Sequence, residues 1–273
     1  MKEETKGYKD FRIPVPTSFQ EIFSHFYYAE NQSDEIITHT SMPSYQTILV
    51  FNFKNRVLLH SSKNTQIKIE KCLVFGPVRN AFKYSMPKNS ELLVVTFKDD
   101  GFYRFFGNAS AAKKIPVNPD DLLEENCFTS LWKELDKIND VQDRINVLLE
   151  FCRPFLDPQN QIIEQLNNFS NDNVSAIKAV AQDNDRTERS IQMKHKKLLG
   201  YSEKEIKRYE RFIKAIELIQ KTAAKASKID WFEVIETCGY YDQSQLIHDF
   251  TYYINLSPTK YLKFQQDICN SRY

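Results

Sequence analysis

Glycine is scarce: six residues in a chain of 273. Loops that cradle a nucleotide phosphate need several glycines in one short turn, so that class of activity is poorly supplied. Cysteine is sparse and scattered. Cys72, Cys127, Cys152, Cys238 and Cys269 form no CxxC pair, and no histidine stands at metal-ligand spacing from them. An odd, dispersed set fits buried thiols in a reducing compartment. No window approaches the roughly 18 continuous apolar residues of a membrane span. The N-terminal MKEETKGYKDF has no apolar stretch of the signal-peptide kind. The expectation is a cytoplasmic protein with no membrane partner. An excess of charge is missing too. Lys and Arg number 37 against 36 Asp and Glu, a net charge of +1, so any basic surface must be local. His25, His39 and His60 fall in one β-rich region without an HxH, and there is no carboxylate pair or nucleophile motif. The expectation is a protein that is not an enzyme, with no catalytic residue, no metal and no cofactor.

What is present is an ordinary core, at 41% hydrophobic residues, rich in Phe and Tyr. Ile36–Ile37, Tyr45–Phe53, Arg56–Leu59, Gln66–Phe75 and Glu91–Phe97 are short runs of β-branched and aromatic residues. Between them stand turn signals at Lys54–Asn55, Lys63–Asn64, Gly76–Pro77, Pro87–Asn89 and Asp99–Gly101. This spacing predicts a small barrel or sandwich. Helical stripes follow: Leu131, Leu135 and Ile138, then Ile145, Leu148, Leu149 and Cys152. Pro154 and Pro158 close the second stripe. The expected fold class is α+β, with a β-rich domain over 1–160, an all-α domain over 161–273, and the boundary between Pro158 and Asn173.

The C-terminal third repeats itself at a shift of 55. Ile177 falls on Phe232, Val180 on Ile235, Asn184 on Gly239, Thr187 on Asp242, Ile191 on Leu246, Leu199 on Ile254 and Ser202 on Ser257. Asn184 and Gly239 are candidates for a positive-φ corner. Thr187 and Asp242 suit helix N-caps, and Asp242 with Gln245 makes a capping-box pair. Each copy therefore reads as helix, tight turn and capped helix, the plan of a helix-turn-helix. Between the copies, Ile206, Tyr209, Phe212, Ile213, Ile216 and Ile219 form the stripe of one long helix. About 20 helical residues span about 30 Å, close to the roughly 34 Å between successive major-groove faces. From Arg186 to Lys228 there are thirteen bases against five acids, the local footprint expected of a phosphate-binding surface.

These residues carry a resemblance. GYYDQSQLIHDFTYYINLSPTKYLKF, with Gly239–Tyr240, Asp242–Gln245, Phe250 and Ser257–Pro258 at its marking positions, resembles the C-terminal signature of AraC/XylS-type transcription regulators. RTERSIQMKHKKLLGYSEKEIKRYERF resembles the family's upstream helix-turn-helix and linker helix. The resemblance covers about Val174 to Phe264. More weakly, MPSYQTILVFNF, FGPVRNAFKY, TFKDDGFYRFFG and NPDDLL resemble an accessory domain of one branch, whose fold is thought to be a cupin-like barrel. The family usually has arginine at the position of Met193 and phenylalanine at that of His195, so base reading by the first unit is in doubt.

The resemblance implies a sequence-specific regulator whose partner is double-stranded DNA. It leaves open a small-molecule effector in the N-terminal domain and a homodimer. In the second unit Gln243, Ser244, Gln245 and His248 are the candidates for base edges, with Gln245 also wanted by the cap. In the first, Arg189, Gln192 and Met193 face outward, Arg189 suiting guanine and Met193 a thymine methyl. Thr187, Lys196 and Lys197 suit phosphates. The alternative is an adaptor that keeps the helix-turn-helix frame and binds a protein.

Overall fold

The structure is a computed structural model that describes residues 7–60, 66–107, 116–123, 125–155, 158–170, 174–225, 229–263 and 268–269. The turn signal at Lys63–Asn64, the far end of the expected boundary at Asn173, and Lys228 lie outside the described residues.

Strands β1 (Tyr8–Ile13), β2 (Phe23–Asn31), β4 (Ile48–Lys54), β7 (Cys72–Phe75) and β9 (Ser90–Phe97) make one sheet, in the order β1-β2-β9-β4-β7. Strands β3 (Ile37–Ser41), β5 (Val57–His60), β6 (Gln66–Ile69), β8 (Phe82–Met86) and β10 (Ile268–Cys269) make the other, in the order β10-β3-β8-β5-β6. The run Gln66–Phe75, expected as one strand, breaks at Glu70–Lys71 and places its halves in different sheets. A break there lets one chain turn the corner between two facing sheets. The last strand returns from the helical part to pair in parallel with β3, Ile268 opposite Thr40.

Strand alternation sorts two cores. Val50 and Leu92 point between the sheets, with Val57, Leu59, Ile69, Tyr84 and Met86. Leu49, Phe51, Leu93 and Val95 point the other way, under α1 (Gly101–Phe106), α2 (Pro119–Leu123), α3 (Cys127–Leu135) and α4 (Val141–Cys152). Their partners there include Phe128, Leu131, Leu135, Ile145, Leu148 and Cys152. Ile138 lies beyond the end of α3. Glu91 also points this way. It is buried, and it accepts hydrogen bonds from Tyr28 Oη at 2.7 Å and Arg144 Nη1 at 2.6 Å.

The rest is helical: α5 (Gln161–Asn167), α6 (Ala176–Asp183), α7 (Glu188–Leu199), α8 (Glu203–Ala224), α9 (Trp231–Cys238), α10 (Gln243–Ile254) and α11 (Pro258–Lys263). Ile162 of α5 packs with Ile177, Val180, Ala181 and Ile191, and Ile163 with Leu198 and Leu199. The fold is α+β, a β-rich barrel-like part with helices followed by an α part of two helix-turn-helix units on one connecting helix. Among the described residues no helix is long and apolar enough to cross a membrane.

Candidate nucleic-acid interface

Helices α6 and α7 form the first unit, α9 and α10 the second. Both turns close with a residue in the left-handed region, but not in the expected register. In the second unit it is Gly239, φ 76, with Tyr240 N donating to Ile235 O at 2.9 Å. In the first it is Asp185, φ 50, with Arg186 N donating to Ala181 O at 2.9 Å. Asn184 has φ −108 and is not the corner. Its amide instead donates to Gln165 Oε1 and Val180 O, each at 2.8 Å. One residue, Arg186, separates Asp185 from the cap Thr187, whereas Tyr240 and Tyr241 separate Gly239 from the cap Asp242. The repeat therefore runs at a shift of 54 before the turn and 55 after it. Val180 matches Val234, both buried, and Ile177 matches Trp231. Phe232, expected opposite Ile177, is 84% exposed. After the turn the expected pairs hold: Ile191 with Leu246 and Leu199 with Ile254 are buried. Thr187 and Asp242 cap their helices, accepting from Ser190 N at 3.2 Å and Gln245 N at 2.8 Å.

Register now fixes what each second helix turns outward. In α7 these are Arg189, Gln192, Met193, Lys196 and Lys197, all exposed, Met193 at 65%. The matching positions in α10 are Ser244, Ile247, His248, Thr251 and Tyr252, also exposed. Gln243 is exposed at the start of α10. Gln245 is half-buried, and its Oε1 accepts from Tyr241 N at 2.9 Å. That bond is made one residue before the cap rather than at it, and it ties Gln245 to the turn. Thr187 Oγ1 is likewise engaged by its cap, and Lys197 Nζ lies 5.8 Å from the Tyr103 ring centroid. Ile247, not among the expected readers, sits between Ser244 and His248 with 40% exposure. Its apolar surface suits a thymine methyl.

Beneath the outward faces the units differ. His195 is buried where the second unit has Phe250. Its Nδ1 donates to Tyr201 O at 3.0 Å, so the imidazole is satisfied. Burial holds its pKa below the ordinary 6.5, against the opposing pull of the Tyr201 bond and of Glu203. In the second unit Asp249 is 1% exposed on the inner side of α10. It accepts from Arg208 Nε at 2.7 Å and Arg211 Nη2 at 2.9 Å, both on α8. The sequence carried a signal for this. Leu246, Asp249, Phe250 and Tyr253 share one face at helical spacing, so Asp249 interrupts an apolar stripe, and a buried carboxylate demands cations.

The basic stretch is correspondingly thinner than its composition. Arg208 and Arg211 are spent inward on Asp249, and Lys207 pairs with Glu203 at 2.6 Å. Arg186, Arg189, Lys196, Lys197, Lys204, Lys214, Lys221 and Lys225 remain exposed. The second unit has no Lys or Arg from Ile229 to Thr259.

One loop of the β-rich part meets the ends of both second helices. Arg79 Nη2 donates to Gly200 O at 2.6 Å, at the end of α7, and its Nη1 pairs with Glu205. Asn80 Nδ2 donates to Tyr252 O at 2.5 Å, and Ala81 N to Tyr253 O at 2.7 Å, in the last turn of α10. These carbonyls lack intrahelical partners. Beside the loop, Tyr45 packs against Tyr201, Tyr209 and Tyr253, and Tyr209 Oη donates to Pro43 O at 2.6 Å. A cavity of about 890 Å³ opens between the sheets at Val50, Tyr84 and Leu92 and extends to α8 at Ile213, Ile216 and Gln220. Among the described residues no group of three or more His, Cys, Asp or Glu is placed to hold a metal ion. His25 Nδ1 bonds Ser24 Oγ at 2.9 Å, and burial, then Arg12, lowers its pKa to about 4.

No family model and no curated protein matches the chain. Among solved structures, it is similar to ToxT from Vibrio cholerae at 11% identity, over 94% of this chain and 98% of that one, with a TM-score of 0.38. It is similar to an unsaturated fatty acid-bound ToxT of the same organism at 10% identity, over the whole of both chains, with a TM-score of 0.36. An RmlC-like cupin protein from Desulfovibrio desulfuricans matches 34% of this chain and 85% of its own at 10% identity, with a TM-score of 0.27. These likenesses are loose, and the chain's activity has to be read from its own residues.

Proposed function

We propose that the protein is a sequence-specific regulator of transcription that binds double-stranded DNA, with labour divided between its units. The observation that carries this is the pair of outward faces at matched positions on two capped second helices, α7 and α10. Lys196 and Lys197 of α7, with Thr187 at its cap, grip phosphates, and Arg189, Gln192 and Met193 touch base edges. Gln243, Ser244 and His248 of α10 supply hydrogen-bonding groups for base edges, Ile247 adds an apolar contact, and Gln245 serves mainly the turn. Helix α8 has 22 residues, about 33 Å at the α-helical rise, which suits two successive major grooves. The β-rich part takes a small, largely apolar effector in its cavity, which α8 helps to line. An adaptor remains the second reading. It is favoured by the second unit's lack of Lys and Arg and by the exposure of Phe232 and Tyr241, at 84% and 92%.

The test is selection from random DNA by the full chain, followed by titration of the selected and scrambled duplexes at two salt concentrations. The regulator prefers the selected duplex and weakens steeply with salt. Changing Lys196 and Lys197 together to Gln reduces the salt slope by about one for each phosphate no longer neutralised. Changing Gln243 and His248 to Ala keeps the slope and costs about 1–3 kcal/mol of discrimination for each base edge no longer read. If selection enriches no sequence, the adaptor reading replaces it.

A further inference from the structure

His248 does not stand alone on α10. Arg208 Nη2 approaches its Nδ1 at 2.9 Å, while Arg208 Nε is held by the buried Asp249 at 2.7 Å. The guanidinium lies 4.5 Å from the Tyr252 ring centroid, and Arg211 grips the other oxygen of Asp249. One planar cation is thus clamped by a carboxylate, a ring and an imidazole. Arginine has five N–H donors and no acceptor, and it stays protonated in proteins. A nitrogen that faces it at hydrogen-bond distance must therefore be an acceptor. In the neutral ring that places the proton on Nε2, the other nitrogen of a side chain that is 71% exposed, while Asp249 Oδ1, 3.9 Å from Nδ1, lies beyond hydrogen-bond distance.

We infer that Arg208 is a positioning residue that sets His248 as an obligate hydrogen-bond donor, so that this position of α10 selects an acceptor on its target. This rests on the DNA-binding reading above and sharpens it. In the major groove the acceptors are guanine N7 and O6, adenine N7 and thymine O4, whereas the amino groups of adenine and cytosine are donors. A phosphate oxygen offers the same chemistry from the backbone. Met193, the matching residue of α7, has no N–H or O–H to donate, so at this position of the helix only the second unit selects an acceptor. Nothing in the spacing of Arg208 and His248, forty residues apart, shows this. The turn between α9 and α10 brings them together.

The first measurement needs no DNA. In the full chain labelled with ¹⁵N histidine, near pH 8 where an ordinary imidazole is neutral, His248 shows a single tautomer with Nε2 protonated and Nδ1 at the shift of a hydrogen-bonded acceptor. Arg208→Lys keeps the charge but not the fork that serves Asp249 and His248 at once, and it returns the His248 signals to the averaged tautomers of an imidazole in water. An averaged or Nδ1-protonated His248 in the unaltered chain overturns the inference. The second measurement uses a duplex selected by the unaltered chain, with single purines replaced by 7-deaza analogues to remove N7, single guanines by 2-aminopurine to remove O6, single thymines by 5-methyl-2-pyrimidinone to remove O4, and single phosphates by methylphosphonates. One replacement weakens the unaltered chain by roughly fivefold or more and leaves His248→Ala unaffected, which identifies the acceptor as base or backbone. If no replacement separates the two proteins, His248 selects nothing and the inference fails. If selection enriches no duplex at all, the regulator reading falls, while the tautomer measurement still decides the role of Arg208.

Discussion

The two helix-turn-helix units share one frame and use charge in opposite ways. The first turns Arg189, Lys196 and Lys197 outward and keeps a neutral imidazole, His195, inside. The second turns Ser244, Ile247 and His248 outward and keeps its charge inside, as Asp249 between Arg208 and Arg211. At the position of Asp249 the first unit has Lys194, half-buried. The lesson is that a basic segment in a sequence is not yet a basic surface. The same guanidinium that would be counted towards a phosphate footprint is, in the second unit, part of the scaffold beneath an outward face that carries no Lys or Arg.

The largest way to break this contrast is Asp249→Ala. It strands two arginines, and removing one member of a buried ion pair costs about 3–5 kcal/mol. Because both arginines reach solvent, with side-chain exposures of 32% and 23%, the expected loss of stability is lower, about 2–3 kcal/mol. Denaturant unfolding measures it, and Lys194→Ala, its counterpart in the first unit, changes stability by less than about 0.5 kcal/mol. A loss no larger than that of Lys194→Ala would deny Asp249 its structural role.

The corners come next. A Cβ on Gly239 meets nothing within 4 Å, so Gly239→Ala carries only the backbone cost of φ 76, about 1 kcal/mol. Asp185→Gly relieves a milder version of the same strain in the first unit and stabilises by about 0.5 kcal/mol. Opposite signs for the two substitutions, read as shifts in Tm, are the expected outcome. Equal signs would mean that the shorter first turn is not closed by Asp185.

The smallest effect is on pH. The folded pKa of His195 lies below its unfolded value near 6.5, so between the two the unfolded chain binds the proton more readily. Stability from the neutral, buried ring is complete above about pH 6.5 and is lost as pH falls towards the folded value. Amide exchange in α7 speeds up over that window, while α10, with Phe250 at the same place, does not follow. His25, lowered to about 4, responds too, so His195→Phe is the control: it abolishes the α7 response alone.

The helical part was legible because its signals are local. Caps at Thr187 and Asp242 and the apolar stripe from Ile206 to Ile219 define helices without reference to anything distant. The turn was half legible. Gly239 marks its own corner, but Asp185 could not be told from Asn184, since both residue types tolerate positive φ, and a one-residue difference in turn length is invisible to a single fixed shift. Strands β1, β2 and β8 were missed, as was β10, which the expected all-α part did not include. In β2, Phe26 and Tyr28 face the helices while Ala29 faces the other sheet. A strand buried on both faces loses the alternation by which strands are recognised. Helix α1 was hidden behind the turn signal at Asp99–Gly101. The turn is there, with Gly101 N donating to Lys98 O at 2.8 Å, but the same glycine opens α1, where a Cβ would stand 2.4 Å from Ile22 O. Arg189, Gln192, Met193, Gln243, Ser244 and His248 were picked out and are exposed, whereas Ile247, apolar, was passed over and Gln245 proved half-buried. The Arg208–Asp249–Arg211 clamp and the Arg79–Ala81 loop were not read, because each joins residues distant in sequence.

That loop has a consequence for the kind of target the chain tolerates. Heads on free tethers accept spacers of many lengths, since the entropy of closing a tether changes slowly with its length. Here α7 and α10 end on three consecutive residues of one loop, and the gap between their outward faces is fixed before any target arrives. Each base pair added between two half-sites turns the second by about a tenth of a helical turn. If the chain reads DNA as proposed above, a gauge set in this way disfavours a spacer that is wrong by one pair, and it does so with residues that never touch the target.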